Sequence, residues 1–402
     1  MTEMETITAK SGLGLALEGG GAKGAYHMGV VKAYLEMGHT FDAVVGTSIG
    51  AINAAVIAQG DFESGYRMWE MLDARSIFDM NDEEYLLMLH RKLDTSTLSH
   101  LAAHTRKLLA GRGINTQKMK QLIASVVDEE KLRSASADFG LVTVSLTDRM
   151  PHELYKDDIP QGRLADYLMA SAAFPGFQPT VIDNKSFIDG GLYDNCPINM
   201  LARKGYTQVI AIRTRALGIN RKVQYPDINV TTIAPSEPLG GMMSFNPEAI
   251  LRSLNMGYYD AIRQLRSLQG RIYCIDVGSL NEEMCKEMLE TLPGDKVIGI
   301  GRMLSMDGGL SLRELWSKAI MPRLSASMRL PEDTSTMTFI ISLAETLAAA
   351  KGVNKYAIYS FDEWINAAVS GPLRHTSGFD FHKVALCMAA QRILEAIELP
   401  AC

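Results

Sequence analysis

Apolar positions along the chain recur with two periods. Short, nearly unbroken apolar runs, the composition of strands buried on both faces, occur at Leu13 to Leu17, Asp42 to Val45, Phe139 to Leu146, Gln208 to Ile212 and Asn229 to Ile233. Helical spacing follows the first two, from Ala25 to about Met37 and from Ala51 to Gln59. The first sixty residues therefore predict a β-α-β-α unit, which favours a parallel sheet with right-handed crossovers. From Asp61 to about Leu132 only helical periodicity is visible, at Tyr66 to Leu72, Glu83 to Leu93, Leu98 to Leu109 and Thr116 to Val127. Farther on, the run from His152 to Tyr155 is expected to pair with the strand before it. Leu164 to Ala173 reads as a helix ended by Phe174-Pro175-Gly176-Phe177, and Val181 to Ile188 as a hairpin about an Asn184-Lys185 turn. Pro197 then opens a helix where proline is best tolerated.

Asn246 to Leu268 reads as a long amphipathic helix and Arg271 to Val277 as a last strand. Past about Gly278 the chain is mostly helical, broken at Pro293-Gly294, Gly308-Gly309, Pro322, Pro331 and Gly371-Pro372. The expected architecture is a three-layer α/β/α domain over residues 13–277, with a mostly parallel central sheet and a helical insertion at about 61–132. A C-terminal helical region over 278–402 completes it. With 47% hydrophobic and 21% charged residues in a chain of 402, there is ample material for a core.

The formal net charge of −6 argues against a general nucleic-acid binder. It also supplies no broad attraction to anionic membranes, so any transient membrane contact must rest on local apolar surface. Five cysteines, none in a CxxC pair, imply reduced thiols in a cytoplasmic protein instead of a disulfide frame or a zinc site. The start of the chain lacks a signal-peptide pattern, and no run approaches the length of a transmembrane helix. No cluster has metal-ligand spacing, and neither a metal nor a cofactor is expected.

Three glycine-bearing loops carry the candidate chemistry. Gly19-Gly20-Gly21-Ala22-Lys23-Gly24 joins a strand to a helix and offers backbone N–H groups at a positive helix end. Gly46-Thr47-Ser48-Ile49-Gly50 sits between strand and helix in the Gly-x-Ser-x-Gly arrangement, whose glycines permit a turn that lifts the serine hydroxyl clear of the sheet. An ordinary glycine-bracketed turn with a solvated serine is the alternative. Asp189-Gly190-Gly191 places a carboxylate on a loop after a strand. Nucleophile, base and oxyanion donors are the parts that acyl transfer needs.

GGGAKG at 19–24, GTSIG at 46–50, ASAAFP at 170–175 and DGGLYDNCP at 189–197 together resemble the patatin-like phospholipases and acyl hydrolases, in a bacterial-type form. The resemblance spans residues 13–197, with a motif core of 15–202. It implies a Ser48–Asp189 dyad without histidine, an oxyanion hole at Gly20, Gly21 and Ala22, and an acyl lipid or phospholipid as substrate. Gly19, Lys23, Gly24, Gly46, Gly50, Gly190 and Gly191 support that motif set. Many relatives have aspartate where Glu18 stands, which reads as a variant. Lys23 either faces a lipid phosphate or holds its loop. The helices expected within 83–109 either pack on the core or wall an acyl-chain cleft.

A dyad base works better with a pKa raised above the carboxylate value of about 3.9, so burial of Asp189 is expected. Of the eight histidines, His27 lies nearest the motif loops and is the alternative base. Two further readings compete. Gly19 to Gly24 also fits a dinucleotide-binding fingerprint, which needs an acid at the C-terminal end of the next strand, whereas Asp42 sits at its start. A catalytically silent lipid-binding or scaffolding relative is the other. Asn195 and Pro197 are read as shaping the Asp189 loop, Ser171 as a helix-packing residue in preference to a second nucleophile, and Cys196 as a buried small apolar residue in preference to a reactive thiol.

Overall fold

The computed structural model describes residues 10–78, 114–306, 309–373 and 381–399. The chain clusters into two compact units, 1–261 and 262–402.

The first unit is built on a mostly parallel sheet flanked by helices. Its strands are β1 (Lys10–Leu17), β2 (Ala43–Thr47), β3 (Asp138–Ser145), β4 (Met150–Tyr155), β5 (Thr180–Ile182), β6 (Lys185–Asp189), β7 (Tyr206–Ile212) and β8 (Asn229–Ile233). The order β3-β2-β1-β7-β8 is parallel throughout, as expected for strands joined by helical crossovers. β1 and β2 are flanked by α1 (Ala25–Glu36) and α2 (Ile49–Ala58). α2 is buried almost all round, which fits its Ala-rich sequence and its seat over the sheet.

β3 is the joint of the sheet. β4 pairs antiparallel with residues 140–145 on one edge. On the other edge β2 covers residues 138–142, and β6 covers 143–145, so β2 and β6 lie end to end along the same edge. Thr47 is opposite Val142 and Asp189 is opposite Thr143. Two consecutive β3 residues thus bring the ends of β2 and β6 together.

The hairpin at 181–188 forms, but its turn residues are Asp183 and Asn184, with φ of 49° and 62°, one position earlier than the expected Asn-Lys pair. Two positive φ values make it the type I′ geometry that matches strand twist, and Asp and Asn tolerate that region best. In the expected insertion, helices form at Phe62–Met71, Ala74–Ile77, Gln117–Val126 and Glu129–Ser134. The helices expected within 83–109 lie outside the described residues.

The second unit is mostly helical. Its core packs Phe339, Leu343 and Leu347 of the helix Thr336–Lys351 with Trp364 and Ile393. The strand expected at Arg271 to Val277 forms at Cys274–Asp276, but as β9 it pairs in parallel with β10 (Ile358–Ser360) in a separate two-stranded sheet. The buried Glu345 carboxylate accepts the N–H groups of Arg271, Ile272 and Tyr273, fixing the approach to β9. Among the described residues, no helix is long and apolar enough to cross a membrane.

Candidate active site

Ser48 stands at the junction of β2 and α2 with φ 58° and ψ −128°, a conformation that L-residues seldom adopt. The neighbouring glycines explain how the turn is possible. A Cβ on Gly46 would lie 2.2 Å from the Gly50 carbonyl oxygen, and one on Gly50 would lie 2.4 Å from that of Leu17. Backbone occupies the space where any side chain would go. The Ser48 N–H donates to Ser171 Oγ at 2.9 Å, and that hydroxyl donates to the Val142 carbonyl at 2.7 Å. Ser171, read from sequence as mere packing, therefore ties the serine turn to β3. Its place in the ASAAFP stretch was the available signal.

Asp189 ends β6, is almost fully buried, and its carboxyl feels the Ser48 hydroxyl. Burial pushes its carboxyl up from 3.8 to about 6, against the pull of the Ser48 hydroxyl and of the Gly191 N–H, which donates to Oδ1 at 2.8 Å. Next to it, a Cβ on Gly190 would meet the Val142 carbonyl oxygen at 2.2 Å, so this loop is also moulded on β3. Asn195 packs between the loops: its carbonyl accepts the Gly19 N–H at 3.0 Å, and its Oδ1 would lie 2.3 Å from a Cβ on Gly19.

The glycine loop is held by Glu18, which is fully buried. Its carboxylate accepts from Arg213 at 2.9 Å and from the backbone N–H groups of Thr214 and Arg215. The variant residue is thus a clamp between the end of β1 and the end of β7. Lys23 Nζ donates to the Arg215 carbonyl at 3.2 Å, and burial lowers its pKa despite the Glu18 carboxylate; it holds the loop. Gly24 accepts from Asn53 Nδ2 at 2.9 Å.

Of the three expected oxyanion donors, the Ala22 N–H is engaged, donating to the Met242 carbonyl at 2.7 Å. Among the described residues, the Gly20 and Gly21 N–H groups have no backbone acceptor. Both have positive φ, 156° and 57°, which aims consecutive amides differently from a helix start.

His27 is fully buried, its Nδ1 lies 3.2 Å from Asn53 Nδ2, and burial pushes it down to about 3. It is neutral at physiological pH, and Asn53, at its Nδ1, lies outside the Ser48–Asp189 pair. Asp42, the acid considered for a ribose, accepts the Leu13 N–H at 2.8 Å at the start of β2. Burial drives the Cys196 thiol well up, consistent with packing. Among the described residues, no three His, Cys, Asp or Glu side chains are grouped to hold a metal.

Ser48 and Gly21 open onto an apolar cavity lined by Ile52, Trp69, Phe78, Leu122, Ile123 and Met243 among others. Its walls come from Phe62–Met71, Ala74–Ile77 and Gln117–Val126, the described ends of the insertion. Trp69 is fixed at its Nε1 by Asn53 Oδ1, 2.9 Å away.

Residues 15–202 match the family model described as patatin-like phospholipase. The chain carries a patatin-like phospholipase domain. Patatin-like phospholipase domain-containing protein 7 of Rattus norvegicus is 24% identical over 288 residues, covering 68% of this chain and 19% of that protein. Protein 6 of the same series in Homo sapiens is 29% identical over 203 residues, covering 50% of this chain and 13% of its own. An NTE family protein of Mycobacterium tuberculosis is 24% identical over 314 residues, covering 77% of this chain and 46% of that one. The chain thus spans about a fifth or less of the length of the rat and human relatives, with 19% and 13% covered. The crystal structure of VipD from Legionella pneumophila is similar over 97% of this chain and 90% of that one, at 17% identity and a TM-score of 0.40. All four motif stretches of the patatin-like domain fall inside residues 15–202.

Proposed function

We propose that this chain is a serine lipolytic acyl hydrolase acting on carboxylic esters of phospholipids or related acyl lipids, with Ser48 and Asp189 as a catalytic dyad. The observation that carries the proposal is a buried carboxyl of pKa about 6 beside a serine on a strained turn at the mouth of an apolar cavity.

Ser48 Oγ attacks the ester carbonyl while Asp189 takes its proton, and the Gly20 and Gly21 N–H groups hold the oxyanion that forms. Collapse expels the alcohol, which receives the proton from Asp189, and leaves an acyl-enzyme on Ser48. Asp189 then takes a proton from water as it attacks the acyl carbonyl; Ser48 leaves with that proton and the fatty acid is released. The chain of the acyl group lies in the apolar cavity. A carboxylate near pKa 6 is a better match to this proton transfer than one near 3.8.

The test is hydrolysis of a nitrophenyl butyrate and of a phospholipid panel by purified protein, with Ser48→Ala and Asp189→Asn. Each variant should lose at least about a thousandfold in kcat with an unchanged circular-dichroism spectrum. Full hydrolysis by Ser48→Ala would overturn the dyad, whereas a Ser48→Ala protein that keeps all cellular function would leave a lipid-binding scaffold as the reading.

A further inference from the structure

We propose that residues 215–223 form the surface by which this chain docks on an anionic lipid interface. Leu217, Ile219 and Val223 are 55%, 40% and 41% exposed, three large apolar side chains within seven residues. They alternate with Arg215, Arg221 and Lys222, which are also exposed, and no acid occurs between Thr214 and Pro226. The stretch is locally cationic on a chain of net charge −6. Apolar side chains that enter the acyl boundary, flanked by cations that meet lipid phosphates, are the two components of interfacial binding. A neutral surface would satisfy only the first, and the absence of acids selects an anionic one.

The stretch is anchored by its backbone, which leaves those side chains for the outside. The Ile219 N–H donates to the Gly191 carbonyl at 2.8 Å, and the Asn195 N–H donates to the Ile219 carbonyl at 2.6 Å. The Arg215 N–H is bound by Glu18, and Asn199 Nδ2 donates to the Lys222 carbonyl at 2.9 Å. Ala216 Cβ would lie 3.2 Å from a Cβ on Gly20. The same residues therefore touch the glycine loop and the Asp189 loop, so a membrane seated here meets the protein beside the proposed reaction centre. Arg221 stacks on the Tyr193 ring at 4.4 Å, which keeps that cation extended along the surface.

The choice of a lipid surface rests on the lipolytic reading, but the test does not need catalysis. The full chain carrying Ser48→Ala is sedimented with vesicles of phosphatidylcholine alone and of phosphatidylcholine mixed with phosphatidylglycerol. Partition should be stronger on the mixed vesicles and fall with salt. Adding Leu217→Ser, Val223→Ser and Lys222→Glu should lower it at least about tenfold, while Leu217→Met with Lys222→Arg keeps it. The serine and glutamate changes placed in the Ser48 protein should leave hydrolysis of soluble nitrophenyl butyrate within about twofold, which also reports folding. Equal binding to both vesicle types, or binding indifferent to these substitutions, overturns the proposal, an acidic protein partner then being what the cations serve. Absent hydrolysis with intact vesicle binding would overturn the catalytic reading alone.

Discussion

The Met242 carbonyl accepts the Ala22 N–H at 2.7 Å, so one of three amides expected to face a substrate oxygen is already taken. A donor satisfied at this distance must lose that bond before it can serve, whereas Gly20 and Gly21 lose nothing. We expect the oxyanion to be held by Gly20 and Gly21 alone. In a covalent phosphonate adduct at Ser48, amide exchange should slow at Gly20 and Gly21 and stay unchanged at Ala22. Altered exchange at Ala22 would mean that the Met242 segment moves away during the reaction.

As the proposed base, Asp189 should set the pH dependence. As a base it must be ionised, so kcat/KM should rise as pH increases through about 6 and level off above it. Stability runs the other way. Because the native carboxyl keeps its proton up to about 6 and the unfolded one loses it near 3.8, the native state binds more protons in that window. Stability from this group therefore falls as pH rises from about 4 to 6, by about 3 kcal/mol at 1.36 kcal/mol per pK unit. Asp189→Asn should melt higher than the parent at pH 8 and level with it at pH 3.5. Asp194, also pushed up to about 6 by burial, is the control: Asp194→Asn should retain the rise in activity.

Ser171→Ala would leave the Ser48 N–H without its acceptor and remove the link to Val142. A cost of about 1–3 kcal/mol in stability is expected, read by denaturant unfolding. Loss in kcat with KM nearly constant should accompany it, since the turn positions the nucleophile and not the lipid.

Leu122→Trp should fill part of the apolar cavity. Nitrophenyl laurate hydrolysis should fall at least about tenfold relative to nitrophenyl acetate, the scale of steric discrimination in apolar pockets. An equal loss on both esters would place the chain elsewhere.

Much of this arrangement was legible because its information is local. The strand–glycine–helix pattern around Ser48 states the turn directly, and the β-α-β-α order implies the parallel core. The missing pieces are long-range. Met242 and Thr214 sit in segments without periodicity, so nothing nearby in the chain announces their roles at Ala22 and Glu18. The composition of Arg271 to Val277 indicated a strand, but its partner at Ile358–Ser360 shares no motif with it, and it pairs outside the main sheet. Asp183-Asn184 was misplaced by one residue because both it and Asn184-Lys185 have turn chemistry; only the pairing of Ile182 with Lys185 separates them.

The shared edge of β3 carries a consequence for how much rewriting this chain tolerates. The proposed nucleophile and base are spaced by the step from Val142 to Thr143, not by the long polypeptide that separates them in sequence. Peptide added within the stretch before Asp138, or in the connection between β4 and β5, should leave that spacing intact. Removal of one residue inside Leu141–Ser145 would shift the two out of register by about 3.3 Å and turn alternate side chains to the wrong side. The intervening connections should therefore accept added length, while this single edge should admit no gap.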